Sequence, residues 1–397
     1  MIHKFHLPNL WMRRSGALIT DAVASALQAG AFPWLSVCLG YLLCHDQLLQ
    51  GGTLPRIEIN PAGNGFVKSG SVETFSIRGF NYDHDRNGHL LEDYWEAEWE
   101  TVVEDFKEMA DLGANVVRIH LQFGKFMKGP RKSSPEPLER LKKLLDLAEV
   151  TGLYLDLTGL GCYHKEDIPR WYDALGESDR WDAQAIFWES VSSACAGSTA
   201  VFCYDLMNEP ILSGKGKVET DWLAGELGGK YFVQRLTLDL MVRSREEVVD
   251  QWVDKMCRAI RRYDSDALIT VGVIPWAHVF ASAKPLFYRK KTFEHLDFVS
   301  VHFYPEKEGV EKAMKALKVY ELGKPLVVEE CFPLKCSFEE MDQFMTEADV
   351  FVDGWISFYW GKTISEYQKA DTIPDHIVGG WLERLTAKWD KAGSLRR

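Results

Sequence analysis

Eight apolar runs of strand length, each followed by a run with helical spacing, predict an α/β fold, a closed (β/α)8 TIM barrel. Three observations carry this reading. The strand-like runs are apolar along most of their length, as in a parallel sheet covered by helices. The repeats fill residues 75–391, the span of one barrel rather than of several small domains. No G-x-G-x-x-G follows the first strand, so an open doubly wound sheet loses its main support.

The elements can be justified in order. IEIN, GFVKSG and VETFSIRGFN are short strands between Asn/Gly turns, and the pair within 57–68 predicts a short N-terminal β-hairpin closing the barrel bottom. The barrel strands are FSIRGF (75–80), ANVVRIHL (114–121), LYLDLTG (153–159) and VFCYDL (201–206). They continue with ALITVGVI (267–274), DFVSVHFY (297–304), PLVVEEC (325–331) and GWISFYW (354–360). Apolar residues three and four apart predict helices over 96–112, 137–151, 181–195, 245–263, 310–321, 337–347 and 375–391. The remaining helix, after strand five, is placed around 283–292 on the faintest pattern of the eight. The stretch 210–245, rich in Gly and aromatics, reads as a loop insertion after strand four.

Two domains follow from this: an N-terminal extension over 1–55 and the barrel over 56–397. Residues 15–44 are apolar, but Asp21, Gln28 and Pro33 leave no clean run of about 18 apolar residues, so a membrane span is not expected. The extension reads either as a targeting segment flanked by Arg13 and Arg14 or as an appendage or misassigned start. Localisation stays open between these.

Composition narrows the function. Lys+Arg 46 against Asp+Glu 58 gives a net charge of −12, which argues against a nucleic-acid partner and suits a neutral or cationic substrate. The 14 Trp and 14 Tyr include flat amphipathic rings of the kind that stack on sugars, although most aromatics in any protein are core. Eight Cys show no C-x-x-C pair and no metal-ligand spacing; Cys195, Cys203 and Cys257 read as small buried hydrophobes.

In such a barrel, function lies where strands end at the C-terminal face. The polar residues there include Asp83 after strand one, Arg118 and His120 on strand two, and Asn208 and Glu209 after strand four. Strand six adds His302 and Tyr304, and strand seven Glu329 and Glu330. Trp276 after strand five is a candidate sugar platform, and Trp360 ends strand eight. Strands four and seven lie nearly opposite, so Glu209 and Glu330 can face one central volume. Two opposed carboxyls are what glycoside hydrolysis needs: one protonates the leaving oxygen, the other attacks the anomeric carbon or activates water.

DLMNEP, HFYP and PLVVEEC, in this strand order, resemble glycoside hydrolase family 5, cellulase- and mannanase-like retaining glycosidases of clan A, over about residues 57–390. The resemblance implies that Glu209 is the acid/base, Glu330 the nucleophile, and Asn208 a holder of the sugar 2-hydroxyl. It implies that Arg118 pairs with the nucleophile, that His302 and Tyr304 form the strand-six His-x-Tyr, and that Trp360 floors the −1 subsite. Two departures stand out. Thr158-Gly159-Leu160-Gly161 lies where a strand-three His is often found, and Glu329 fills a position that is often Gly.

The expected activity is therefore β-glycoside hydrolysis with retention on a β-linked glucan, mannan or related oligosaccharide, with no cofactor or metal implied. Transglycosylation on the same site and a carbohydrate-binding pseudoenzyme are the rivals. Asp83-His84-Asp85-Arg86-Asn87-Gly88 spells the start of a calcium loop, but Tyr94 stands where its bidentate Glu belongs, so a substrate-contacting loop or plain turn is preferred. His120 shares the face of Arg118 and is a candidate for the site wall. Sugar identity, endo or exo action and oligomeric state are not readable.

Overall fold

The structure, a computed structural model, describes residues 54–83 and 89–394. The barrel strands are β1 (Ile77–Tyr82), β2 (Val116–Gln122), β3 (Tyr154–Gly161) and β4 (Val201–Asp205). β5 comes in two pieces, Leu268–Thr270 and Gly272–Val273, followed by β6 (Val299–Phe303), β7 (Leu326–Cys331) and β8 (Gly354–Trp360). All neighbours are parallel. The first piece of β5 pairs with β4 and the second with β6, so the interruption at Val271 is where the sheet closes on itself. The fold is the expected (β/α)8 barrel.

The covering helices are α1 (Trp99–Asp111), α2 (Pro135–Thr151), α3 (Glu177–Cys195) and α4 (Arg245–Arg261). α5 (Val310–Lys318), α6 (Phe338–Ala348) and α7 (Ile373–Ser394) follow the last three strands. Local chemistry sets their ends. Ser244 with Glu247 and Ser337 with Glu340 form reciprocal caps at α4 and α6, and Gly152, at φ 77°, ends α2 in the left-handed region.

No full helix forms around 283–292, which corrects the sequence expectation. A short helix Trp276–Val279 and a 3-10 turn Thr292–Glu294 take its place. The reason is visible in the segment: Pro285 interrupts it, and Phe287 and Tyr288 are buried. The Tyr288 hydroxyl donates to the Val271 carbonyl at the closure and accepts from Ser300 N (2.9 Å).

The hairpin at the base is also as expected. Ile57–Ile59 pairs antiparallel with Phe66–Lys68, and Phe66 packs edge-on against Phe202 and Phe298, ring centroids 5.4 Å apart in both pairs. The insertion after β4 is not a plain loop. Leu223–Leu227 and Lys230–Arg235 form a hairpin turned by Gly228 and Gly229, both at positive φ, and its second strand pairs with Pro210–Ile211. Cys195, Cys203 and Cys257 are buried free thiols. No helix among the described residues is long and apolar enough to cross a membrane. The readings made on 1–53 and on His84–Gly88 lie outside the described residues.

Candidate active site

The barrel axis is polar. Arg118, fully buried on β2, donates from Nη1 to Glu330 Oε1 (2.6 Å) and Asn81 Oδ1 (2.8 Å). Its Nη2 donates to Asp205 Oδ2 (2.8 Å) and Asn208 Oδ1 (2.9 Å), while Nε lies 3.8 Å from Glu329 Oε2. One guanidinium thus ties β1, β2, β4 and β7 together at the catalytic end.

Glu330 Oε2 accepts from the Tyr304 hydroxyl (2.8 Å), so each of its oxygens has a donor. Burial and the neighbouring Glu330 push the Tyr304 phenol well up, which keeps it a neutral donor. Glu209 follows β4 at φ 46°, a strained setting for a non-glycine residue, held by its N–H on the Gly272 carbonyl (2.9 Å). His302 Nδ1 donates to Glu209 Oε1 (2.9 Å) and lies 3.5 Å from Glu330 Oε2. One carboxylate oxygen of Glu209 and one of Glu330 are within 4.8 Å of each other.

Beneath this pair lies a second acidic layer. Consecutive residues of a regular strand face opposite sides, yet Glu329 and Glu330 both reach Arg118. The register irregularity between Val328 and Cys331 permits it. Burial alone would raise Glu329, but Arg118, His302 and Asp156 together bring it down to about 2. Burial disfavours a charged His302, yet Glu330, Glu209 and Glu329 outweigh that and push it up to about 10. Burial and Glu329 push Asp156 well up, and Asp205 to about 6 despite Arg118. The opposite shifts of Asp156 and Glu329 fit a proton carried on Asp156 beside Glu329, where both Asp156 oxygens and Glu329 Oε1 have no other hydrogen-bond partner among the described residues. Gly272 makes room for this layer: a Cβ there would lie 2.6 Å from both Glu329 Oε2 and His302 Nε2.

Two groups of side chains have the spacing of metal ligands, Asp156–Cys203–Glu329 and Glu209–His302–Glu330. Burial raises the Cys203 thiol well above its ordinary value and the neighbouring carboxylates raise His302 to about 10, so a cation at either group would have to displace a proton.

A cavity of about 370 Å3 opens on the β1–β3 and β8 side; neither Glu209 nor Glu330 lines it, and it reaches the pair through Asn81, which shares Arg118 with Glu330. Asn81, Asp83, His120, Tyr163, Phe232 and Phe358 are among its walls. His120 Nε2 donates to Asn81 Oδ1 (3.3 Å) and Nδ1 accepts from the Tyr163 hydroxyl, the neutral tautomer; burial and Arg118 hold it well below the usual range. Asp83 Oδ1 accepts from Tyr94 (3.2 Å) at the cavity edge. Asn208 is buried, with Nδ2 donating to the Phe232 carbonyl (2.9 Å), so it anchors the inserted hairpin as well as Arg118. Trp276 stands apart, on a separate groove after β5.

Two points differ from the sequence expectation. Trp360 cannot floor a subsite: it is fully buried, its ring 5.2 Å from Phe80, which itself packs on Trp389 of α7. The irregularity between Ser357 and Trp360 turns it out of the barrel, and Phe358 is the strand-eight aromatic on the cavity. Thr158 is not at the rim either. β3 runs on to Gly161, Thr158 donates to Asp205 Oδ2 (2.9 Å) in the interior, and Tyr163 forms the wall where a histidine was missed. Tyr163, Phe232 and Phe358 had no signal beyond being aromatic near a strand end.

The family model for cellulase (glycosyl hydrolase family 5) matches residues 69–350. No curated protein matches the sequence well enough to count as a relative. Among solved structures, the exo-β-1,4-mannosidase Op5Man5 from Opitutaceae bacterium strain TAV5 is 18% identical with a TM-score of 0.61, over 85% of this chain and 62% of that one. This chain thus spans under two thirds of that enzyme's length. An endo-1,4-β-mannanase from Eisenia fetida is 16% identical with a TM-score of 0.58, over 84% of this chain and 95% of the other. GH5_18 from Streptomyces cattleya in complex with GlcNAc is 18% identical with a TM-score of 0.57, over 79% and 80%. At these identities the structures establish a shared fold. The family match spans well over half of the sequence, and the chain belongs to glycosyl hydrolase family 5.

Proposed function

We propose that the protein is a retaining β-glycoside hydrolase acting on a β-linked glucan, mannan or related oligosaccharide. The observation that carries the reading is the spacing of Glu209 and Glu330. Their nearest oxygens lie within 4.8 Å, nearer the roughly 5–5.5 Å carboxyl separation of retaining enzymes than the roughly 6.5–9.5 Å of inverting ones. Glu330, satisfied by Arg118 and Tyr304, attacks the anomeric carbon and forms a covalent glycosyl-enzyme. Glu209, paired with His302, gives its proton to the leaving oxygen and then takes one from water. The first step needs a proton on Glu209, and His302 Nδ1 is the hydrogen-bonded neighbour that can supply one. Mannan-active neighbours put β-mannosides beside β-glucosides at the head of a substrate screen.

Glu209→Ala tests the roles. On dinitrophenyl β-glycosides the leaving group needs no acid, so the first step survives and the intermediate accumulates. Turnover falls by roughly 10²–10⁴, and azide, which needs no base, restores it with a β-glycosyl azide as product. A β-azide from Glu330→Ala together with an α-azide from Glu209→Ala reverses the assignments. Full activity in both variants refutes the catalytic roles given to the two glutamates.

A further inference from the structure

A groove of about 700 Å3 lies on the other side of the mouth from the Phe358 cavity, between the chain after β4 and the chain after β5. Pro210, next to Glu209, is part of its wall, so it adjoins the proposed acid. Its lip is aromatic and open to solvent. The Trp276 and Phe280 rings stack at 22° and 6.3 Å, with 39% and 59% of their surfaces exposed, and Val279 beside them is 61% exposed. Large apolar side chains left exposed together, with polar groups around them, mark a surface that something covers.

The charges around that surface are one-sided. Lys217, Lys284 and Arg245 line the groove against a single carboxylate, Glu246. Among the described residues none of these three cations has an ion pair or side-chain hydrogen bond, whereas many other basic residues do, as in Lys255–Asp182 and Arg262–Glu189. In a chain of net charge −12, three unpaired cations on one apolar groove run against the overall field.

We infer that this groove binds an apolar group carrying an anionic head, a carboxylate or phosphate, as the leaving-group half of the substrate. Its placement at the leaving oxygen rests on Glu209 being the acid; the binding itself does not. The apolar part lies on Trp276 and Phe280, and the head reaches Lys217, Lys284 and Arg245. A plain oligosaccharide would use the rings and leave the cations idle.

Calorimetry on the full chain with laurate, below its micelle concentration, tests the binding. Laurate should bind about tenfold tighter than dodecyltrimethylammonium, a preference that shrinks with added salt. Lys217→Glu with Lys284→Glu should remove the preference, and Phe280→Ala, on an exposed residue, should weaken both amphiphiles. Equal binding of the two, or indifference to the charge reversal, overturns the inference. Placement is tested with 4-(5-carboxypentyl)phenyl and 4-hexylphenyl β-glycosides, whose phenols are equally good leaving groups. The carboxylated one should have the higher kcat/KM by about tenfold, lost in the charge-reversed variant. Equal values in the native protein overturn the leaving-group placement. If laurate binds as expected but no glycoside is cleaved, the hydrolase reading fails and the binding site stands.

Discussion

Arg118→Met is the perturbation that most directly probes how the site is held. Arg118 is fully buried and makes four hydrogen bonds of 2.6–2.9 Å, two of them to the carboxylates Glu330 and Asp205, with Glu329 3.8 Å away. Methionine fills similar space and leaves those carboxylates facing one another with only His302 as a cation. Removing one partner of a buried pair costs about 3–5 kcal/mol, against a total stability of roughly 5–15 kcal/mol. The cost should depend on pH. Asp205 is raised to about 6 even with the guanidinium present. Without it the folded-state value climbs further above the ordinary 3.9 or so of an aspartate. A carboxyl raised on folding penalises the folded state when ionised and relieves that penalty as it takes up a proton. The loss relative to the native protein should therefore be largest near pH 8 and shrink towards pH 5. Urea unfolding followed by circular dichroism at both pH values measures it. A loss under about 1 kcal/mol at pH 8, or one equal at the two pH values, refutes this account of the barrel axis.

Other expectations follow from single contacts. Phe358→Ala should raise KM by roughly 2- to 12-fold, the worth of an aromatic contact of about 0.5–1.5 kcal/mol, with little change in unfolding. Trp360→Ala should do the opposite, costing about 3–5 kcal/mol of stability while KM holds; a KM effect would restore Trp360 to the subsite. His302, at about 10 when folded against an ordinary 6.5, should stabilise the native state fully below about pH 6.5 and lose that contribution as pH rises through about 10. The stability gap between native protein and His302→Gln, measured by urea unfolding at pH 6 and pH 10.5, should accordingly narrow. A chain beginning at Thr53 should keep its activity, since Thr53–Arg397 forms a compact unit by itself; an insoluble or unfolded product counts against the extension being dispensable.

What was legible in the sequence, and what was not, follows from where the strands are regular. Arg118 and His120 share a face because β2 alternates cleanly up to His120, so placing both on the site side needed only a period of two. The glutamates just after β4 and at the end of β7 were legible because a charged residue ending an apolar run is costly without a partner or a task. Alternation alone, however, would send Glu329 and Glu330 to opposite faces, and would put Trp360 on the same face as Phe358. Both inferences fail at register irregularities, one between Val328 and Cys331, the other between Ser357 and Trp360. A bulge has no fixed residue signature; it appears when neighbouring strands find a better register, and that is a property of the pairing. The same holds for Tyr163. The apolar run of strand three ends at Gly159, yet the strand pairs through to Gly161, and only that extension brings the Tyr163 hydroxyl onto His120. The proposed catalytic pair was thus legible in local residues, while the shape of the neighbouring cavity depends on three strand ends whose geometry forms only when the barrel closes. Substrate preference should accordingly respond to substitutions at Tyr163 and Phe358 more than at any residue of the Asn-Glu-Pro, whose loss removes the reaction instead of redirecting it.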